Sequence, residues 1–244
     1  MNIYLYDIEN VILPFIPKKL GTGIWVWLFW IFRFTSKPVP AFWFSTPEQK
    51  LRYGDVRFAE VGTTHACSTN PELCYYGLHA SLHVADAMHY APGNICWKVL
   101  LDGKMDFGYD KFAATSRTYL KKIDANGVMR TFACTLLLNQ IPDKIRVGHT
   151  SINTRTLKKH LRNPHPNTLQ TATRTLDRLR FETYHYSHHT QLTRLLGDSE
   201  YSEERLQKAV DHLLMYGVVG HKAKECRKLF ADMIEAEFKK AVEG

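Results

Sequence analysis

Residues 74–117 read CYYGLHASLHVADAMHYAPGNICWKVLLDGKMDFGYDKFAATSR. Their centre, residues 95–101 (ICWKVLL), is a short run of aliphatic, β-branched and aromatic residues, the pattern of a buried strand. Asp102-Gly103 suits a tight hairpin turn and predicts a return strand over 104–107. Upstream, Gly77 precedes a short strand or turn at 78–81. A helix is predicted from about Leu82, with Leu82, Ala85 and Met88 on one face and Ser81 placed to cap it. Ala91-Pro92-Gly93-Asn94 ends that helix. Residues 111–124 show no clean period, and helix is one reading of them.

Outward from this centre, residues 41–45 (AFWFS) are strand-like. Residues 51–61 (LRYGDVRFAEV) alternate after Gly54, with Val56, Phe58 and Glu60 on one side and Arg57, Ala59 and Val61 on the other, which predicts a strand. Residues 62–71 read as a polar loop. Residues 128–141 form an apolar helix, buried nearly all round. Two further helices are expected at 201–216, with Leu206, Val210, Leu213 and Leu214 at helical spacing, and at 221–241, with Cys226, Leu229, Phe230, Met233, Ile234 and Phe238. Glu203 and Glu204 stand in the first turn of the former, where the helix dipole favours them. The fold class is α+β: a small mixed or antiparallel sheet core with helices, followed by an α-helical C-terminal region. Three parts are expected: an apolar Trp-rich extension at 1–38, the α+β core at 41–142, and a basic arm with the last helices at 144–244. Lys37-Pro38-Val39-Pro40 reads as the linker before the core.

The run LGTGIWVWLFWIF at 20–32 has 13 residues, fewer than the about 20 a membrane span needs. Its acidic approach (Asp7, Glu9) and the lack of a small-residue cleavage site argue against a signal peptide. A cover over the core, an interfacial or partner contact, and a loosely ordered leader remain open. The five cysteines are odd in number and form no C-x-x-C pair, which argues against a disulfide framework and a structural zinc pattern. A reducing cytoplasm is the simplest setting, and Cys134 and Cys226 fall on apolar helix faces. His185, His188 and His189 could bind a metal or face phosphate. No metal or cofactor is expected.

Charge points to a partner class, against the alternative of a solvated basic face. The chain carries +8, and residues 144–194 contain ten Lys/Arg against only Asp177 and Glu182, so this segment holds the whole net charge. That concentration favours a polyanion, nucleic acid above all. Lys158, Lys159, Arg162, Arg174, Arg178, Arg180, His188 and His189 are the candidate contacts, with Tyr184, His185 and Tyr186 interleaved for stacking.

Chemistry is expected within residues 74–117. His79, Ser81, Asp86, Asp110, Lys111 and Arg117 are the candidate catalytic residues, with His89 nearby: a carboxylate beside a base can activate water, and a cation can receive developing negative charge. Each also has a structural reading, as a cap, a salt bridge or a turn.

The pattern GLHAS, six residues, HYAPG, VLLDG, DKFAATSRT and later RTFA resembles a phage and bacterial domain family over roughly residues 41–140. That setting implies a role in phage–host conflict. Residues 76–90 (YGLHASLHVADAMHY) also resemble the second core motif of ADP-ribosyltransferases. That resemblance implies an NAD pocket, with His79 at the aromatic position, Ser81 after it and Tyr90 ending the helix. Residues 41–45 offer neither His nor Arg for that family's first motif, and Glu182 is the candidate for its final glutamate. Both resemblances allow chemistry at an N-glycosidic bond. The expectation is a DNA-acting enzyme like the anti-phage DNA glycosylases, which must take a base out of the stack. Tyr75, Tyr76, Tyr90 and Trp97 would flank the flipped base, and Asp86 or Asp110 would orient water or stabilise an oxocarbenium ion. An NAD-dependent ADP-ribosyltransferase and a non-enzymatic nucleic-acid-binding or phage-interaction protein are the alternatives.

Overall fold

The computed structural model describes residues 38–141, 144–147, 150–163, 165–168, 171, 202–217 and 222–243. The apolar run 20–32, Glu182, Arg174, Arg178, Arg180 and the Tyr/His group 184–189 lie outside the described residues.

The fold is α+β. Two long strands, β4 (Ile95–Phe107) and β5 (Phe112–Asp124), form its spine as an antiparallel pair. The edge strand β1 (Val39–Ser45) pairs with β4, placing Trp43 opposite Trp97. The short strands β2 (Thr64–Ala66) and β3 (Leu78–Ala80) share the other edge of β5, against residues 116–118 and 112–114 respectively. Beyond β3, Ser81 exchanges two backbone hydrogen bonds with Phe42 of β1, at 2.7 and 2.9 Å. The two edges of the sheet therefore meet, and the sheet curls back on itself.

The hairpin turn between β4 and β5 lies at residues 108–111, closed by Gly108 N–H donating to the Lys111 carbonyl at 2.9 Å. This corrects the expected turn at Asp102-Gly103, which is a bulge within β4. Gly103 takes φ +76°, and Lys104 N–H donates to Thr115 Oγ1 at 3.0 Å. A residue left over in one strand produces the same local Asp-Gly chemistry as a turn. Residues 112–124 are strand, not helix, because β4 offers them a full ladder. The alternating run at 51–61 forms no strand. Tyr53 and Gly54 adopt positive φ, the chain turns, and only a Lys50–Phe58 bridge remains. Val39 and Pro40, read as linker, belong to β1, an edge position where proline costs no ladder bond.

Helix α1 (Val84–His89) begins two residues later than expected. His83, in extended conformation, is its N-cap without a side-chain cap bond, so Ser81 serves the β1 bridge rather than the helix. α2 (Asn126–Gln140) follows β5, its exposed stripe reduced to Gly127, Thr131 and Asn139. A hairpin of β6 (Lys144–Val147) and β7 (Thr150–Asn153) leads to α3 (Arg155–Leu161). α4 (Glu203–Tyr216) starts at the cap Ser202, whose side chain accepts from Arg205 N–H. α5 (Ala223–Glu243) ends the described chain.

Two cores result. One, against the helices, joins Phe44, Cys96 and Ile123 of the sheet to Met88, Phe132, Phe230, Ile234 and Phe238. The other holds Trp97, Val99, Leu101, Phe112, Tyr119, Leu78 and Ala80, together with Leu51 and Ala59 from the turning segment. The first core runs from residue 44 to residue 238. The last helices thus complete the same body as the sheet instead of trailing from residues 41–142. Cys134 and Cys226 are buried packing residues, and all five cysteines are free thiols.

Candidate functional site

The sheet curl, the C-terminal end of α1 and the β4–β5 turn bring one polar group together. Tyr90, the C-cap of α1, donates its phenol to Asp110 Oδ2 at 2.5 Å. The Lys111 ammonium stands 4.2 Å from the centroid of the same ring. Among the described residues, Asp110 Oδ1 accepts no hydrogen bond and Lys111 has no carboxylate partner. Burial and the adjoining Asp110 carboxylate raise the Tyr90 phenol well above its ordinary value, so it remains a donor.

His79 lies in β3 between the buried Leu78 and Ala80, and strand alternation turns its ring away from theirs. Its Nε2 accepts from Cys74 N–H at 3.2 Å, which leaves the proton on Nδ1 in this arrangement. Burial, then the Lys111 and Arg117 charges, lower its pKa, so the imidazole is neutral near pH 7. Two backbone features hold this corner. Cys74 takes φ +70°, and Gly77 takes φ +110° with a virtual Cβ at 3.1 Å from Pro71 Cβ and 3.3 Å from Ala113 Cβ. Both the positive φ and the close approach favour glycine at 77.

Arg117 lies behind this corner, 2% exposed. Its Nη1 donates to the His79 carbonyl at 2.6 Å, and Nε and Nη2 donate to the Tyr119 hydroxyl at 3.2 and 2.8 Å. The guanidinium also sits 4.0 Å from the Trp43 ring centroid. No carboxylate pairs with it among the described residues, and burial lowers its pKa. His65 Nδ1 meets the Tyr119 hydroxyl at 3.1 Å from the other side. Arg117 therefore ties β3 to β5 and positions His79 from beneath. It does not reach the surface.

The remaining expected residues fall elsewhere. Asp86 forms a short ion pair with Arg227, joining α1 to α5. Ser81 is buried in the β1 bridge. His89 meets Asp211 Oδ1 at 3.2 Å. Trp97 is fully buried, its indole N–H donating to Ser45 Oγ at 2.9 Å, so it cannot flank a flipped base. Tyr75 and Tyr76 stand exposed beside the corner. Of the basic contacts, Lys159 and Arg162 are exposed on α3, which Leu157 and Leu161 anchor, and Lys158 is half-buried there.

Sequence reading missed Tyr119, His65 and Cys74. Tyr119 follows Arg117 at strand spacing, so the pair becomes visible once residues 112–124 are read as a strand. His65 stands opposite Arg117 in the β2–β5 register. Nothing in the chain marks Cys74 before its backbone is seen.

Residues 46–131 match a family model described as a domain of unknown function, DUF7666. The match runs from the loop after β1 into α2 and contains the whole corner, while α4 and α5, which complete the helical core, lie beyond it. Neither the curated proteins nor the solved structures contain a match to this chain. Several glycines of the GLHAS, YAPG and LLDG motifs have packing reasons. Beyond Gly77, a Cβ on Gly93 would meet Thr46 Cα at 2.7 Å, and one on Gly103 would meet Thr115 Oγ1 at 2.2 Å. Among the described residues, no helix is long and apolar enough to cross a membrane.

Proposed function

We propose that this protein acts on DNA and cleaves an N-glycosidic bond, removing a base, at the corner formed by Tyr90, Asp110, Lys111 and His79. The observation that carries the reading is the carboxylate of Asp110, aligned by the Tyr90 phenol, with the Lys111 ammonium over the same ring and without a carboxylate partner among the described residues. In such a reaction the bond from the sugar C1′ to the base nitrogen breaks and a bond from C1′ to water oxygen forms. Asp110 would stabilise positive charge on C1′ and take the proton of the attacking water. Lys111 would supply a proton to the departing base; Asp110 would release the proton of water to solvent and Lys111 recover one from it, so that base and sugar hemiacetal leave neutral and both side chains are restored. His79, neutral and bonded to Cys74 N–H, would hold the loop that lines the site. The net charge of +8, with its concentration in residues 144–194, supports a polyanionic substrate. The phage and bacterial resemblance supports a role in phage–host conflict, with a modified base as target.

The test is incubation with plain and phage-modified DNA followed by alkali. Alkali-sensitive abasic sites are expected, and Asp110→Asn should lower the rate by about 100-fold or more with binding retained. Asp86→Asn, which breaks the tie to α5 and removes a more distant charge from Tyr90, should act mainly through stability. Undiminished turnover in Asp110→Asn would remove the carboxylate assignment.

A second reading, NAD-dependent ADP-ribosyl transfer, draws on the order of β3 and α1, a short strand bearing His79 and then a helix closed by Tyr90. A mass gain on DNA or protein that requires NAD would favour it. Salt-dependent binding without either product would leave a non-enzymatic nucleic-acid-binding protein.

A further inference from the structure

Two loops touch Tyr90 directly, a third is tied to His79 and the end of β4, and each presents tyrosine to solvent. Arg52 Nη1 donates to the Tyr90 carbonyl at 3.4 Å, and the same guanidinium lies 5.1 Å from the ring centroid of Tyr53. Residues 72–76 close into a tight loop through Glu72 N–H donating to the Tyr76 carbonyl at 2.8 Å, and Tyr75 and Tyr76 project from it. Leu73 N–H donates to Asp106 Oδ2 at 3.0 Å, joining that loop to the end of β4, where Tyr109 precedes Asp110. Exposure is 92% for Tyr53, 75% for Tyr75, 58% for Tyr76 and 86% for Tyr109. A single exposed tyrosine needs no explanation. Four on three neighbouring loops make an aromatic rim beside one polar corner.

The charged residues on these loops and on the end of β4 that they adjoin carry both signs: Arg52, Lys104 and Lys111 with Glu72, Asp106 and Asp110. The rim therefore lacks the excess cation that would hold a duplex by its phosphates. What it offers is phenol faces, and a base can use these only when it is unpaired and unstacked.

We propose that Tyr53, Tyr75, Tyr76 and Tyr109 form a stacking surface for unpaired nucleobases, so that the protein takes single-stranded nucleic acid at the Tyr90–Asp110 corner. This deepens the proposed function and rests on its nucleic-acid partner, but not on its bond cleavage. The basic segment would supply backbone attraction and the rim the preference for single strands.

Fluorescence anisotropy of the full chain tests it, with labelled oligomers of about 20 nucleotides, a length that exceeds typical single-strand sites. The probes are single-stranded DNA, single-stranded RNA and a blunt DNA duplex of one sequence. The single strand is expected to bind at least about tenfold more tightly than the duplex. Combined Tyr75→Ala and Tyr109→Ala should weaken single-strand binding by about tenfold or more and leave duplex binding unchanged. Combined Tyr75→Phe and Tyr109→Phe keep both rings and should bind like the parent. The DNA and RNA arms identify which sugar the surface accepts, and preference for either single strand supports the inference. Equal affinity for strand and duplex, unaltered binding in the alanine pair, or equal loss in the phenylalanine pair would each overturn it. Single-strand binding without abasic sites would sink the cleavage reading and leave this one standing. Abasic sites made only in duplex would do the reverse.

Discussion

Arg117 and His79 divide the labour at the corner between charge and proton. Arg117 is buried without a carboxylate among the described residues, held by one carbonyl, one hydroxyl and an aromatic face. Such a charge is tolerated because its donors are engaged and the ring quadrupole favours it. His79 is the titrating member, and the sign of its effect follows from its lowered pKa. Between that value and the ordinary 6.5, the unfolded chain binds the proton and the folded chain does not. Stability is therefore full above about pH 7, falls as pH drops through 6.5, and levels off below the folded value. His65, lowered mainly by burial, acts in the same direction. His79→Gln keeps an acceptor for Cys74 N–H and removes the titration. Urea midpoints at pH 7 and pH 5 should differ less in the variant than in the parent. An unchanged difference would show that His79 does not carry the dependence.

At the scale of elements, strand ladders override local turn and helix signals. The expected strand at 95–101 and the helices at 126–140, 203–216 and 223–243 were legible because their periods are long and their interruptions are Pro, Gly or a cap. The turn was misplaced because Asp102-Gly103 and Gly108–Lys111 both carry turn chemistry, and only the pairing partner distinguishes a bulge from a hairpin. The corner was legible in part: His79, Tyr90, Asp110 and Lys111 converge, whereas Asp86 and Ser81, four and two residues from others in that group, face different elements. Sequence proximity on a six-residue helix cannot show which side a carboxylate takes. Gly77 is the element-scale control point. Gly77→Ala demands a strained φ and contacts at 3.1–3.3 Å with Pro71 and Ala113. A loss of about 2–3 kcal/mol is expected. Thermal denaturation checks it, and a shift of less than a degree would show that the 72–76 loop relaxes freely.

For the whole molecule, the helices at the end of the described chain are part of the foundation of the sheet. Phe132 of α2 and Phe230 of α5 meet edge to face at a centroid distance of 5.3 Å. Lys98 of β4 pairs with Glu235 at 2.7 Å. A fragment of residues 38–142 would expose Phe44, Cys96, Met88 and Phe132, which the full chain buries. Circular dichroism and proton NMR of that fragment should show no cooperative fold. A dispersed spectrum and a sharp melting transition would show that the matched domain stands alone.

The ion pair of Asp86 with Arg227 joins groups 141 positions apart. During synthesis the strands and α1 leave the ribosome well before the helix that covers them. The nascent chain must therefore carry an uncovered apolar sheet face through much of its elongation. Closing so long a loop delays the last contacts in refolding too. The protein is thus expected to need chaperone shelter late in translation, with its helical core sealed only after residue 238 has emerged.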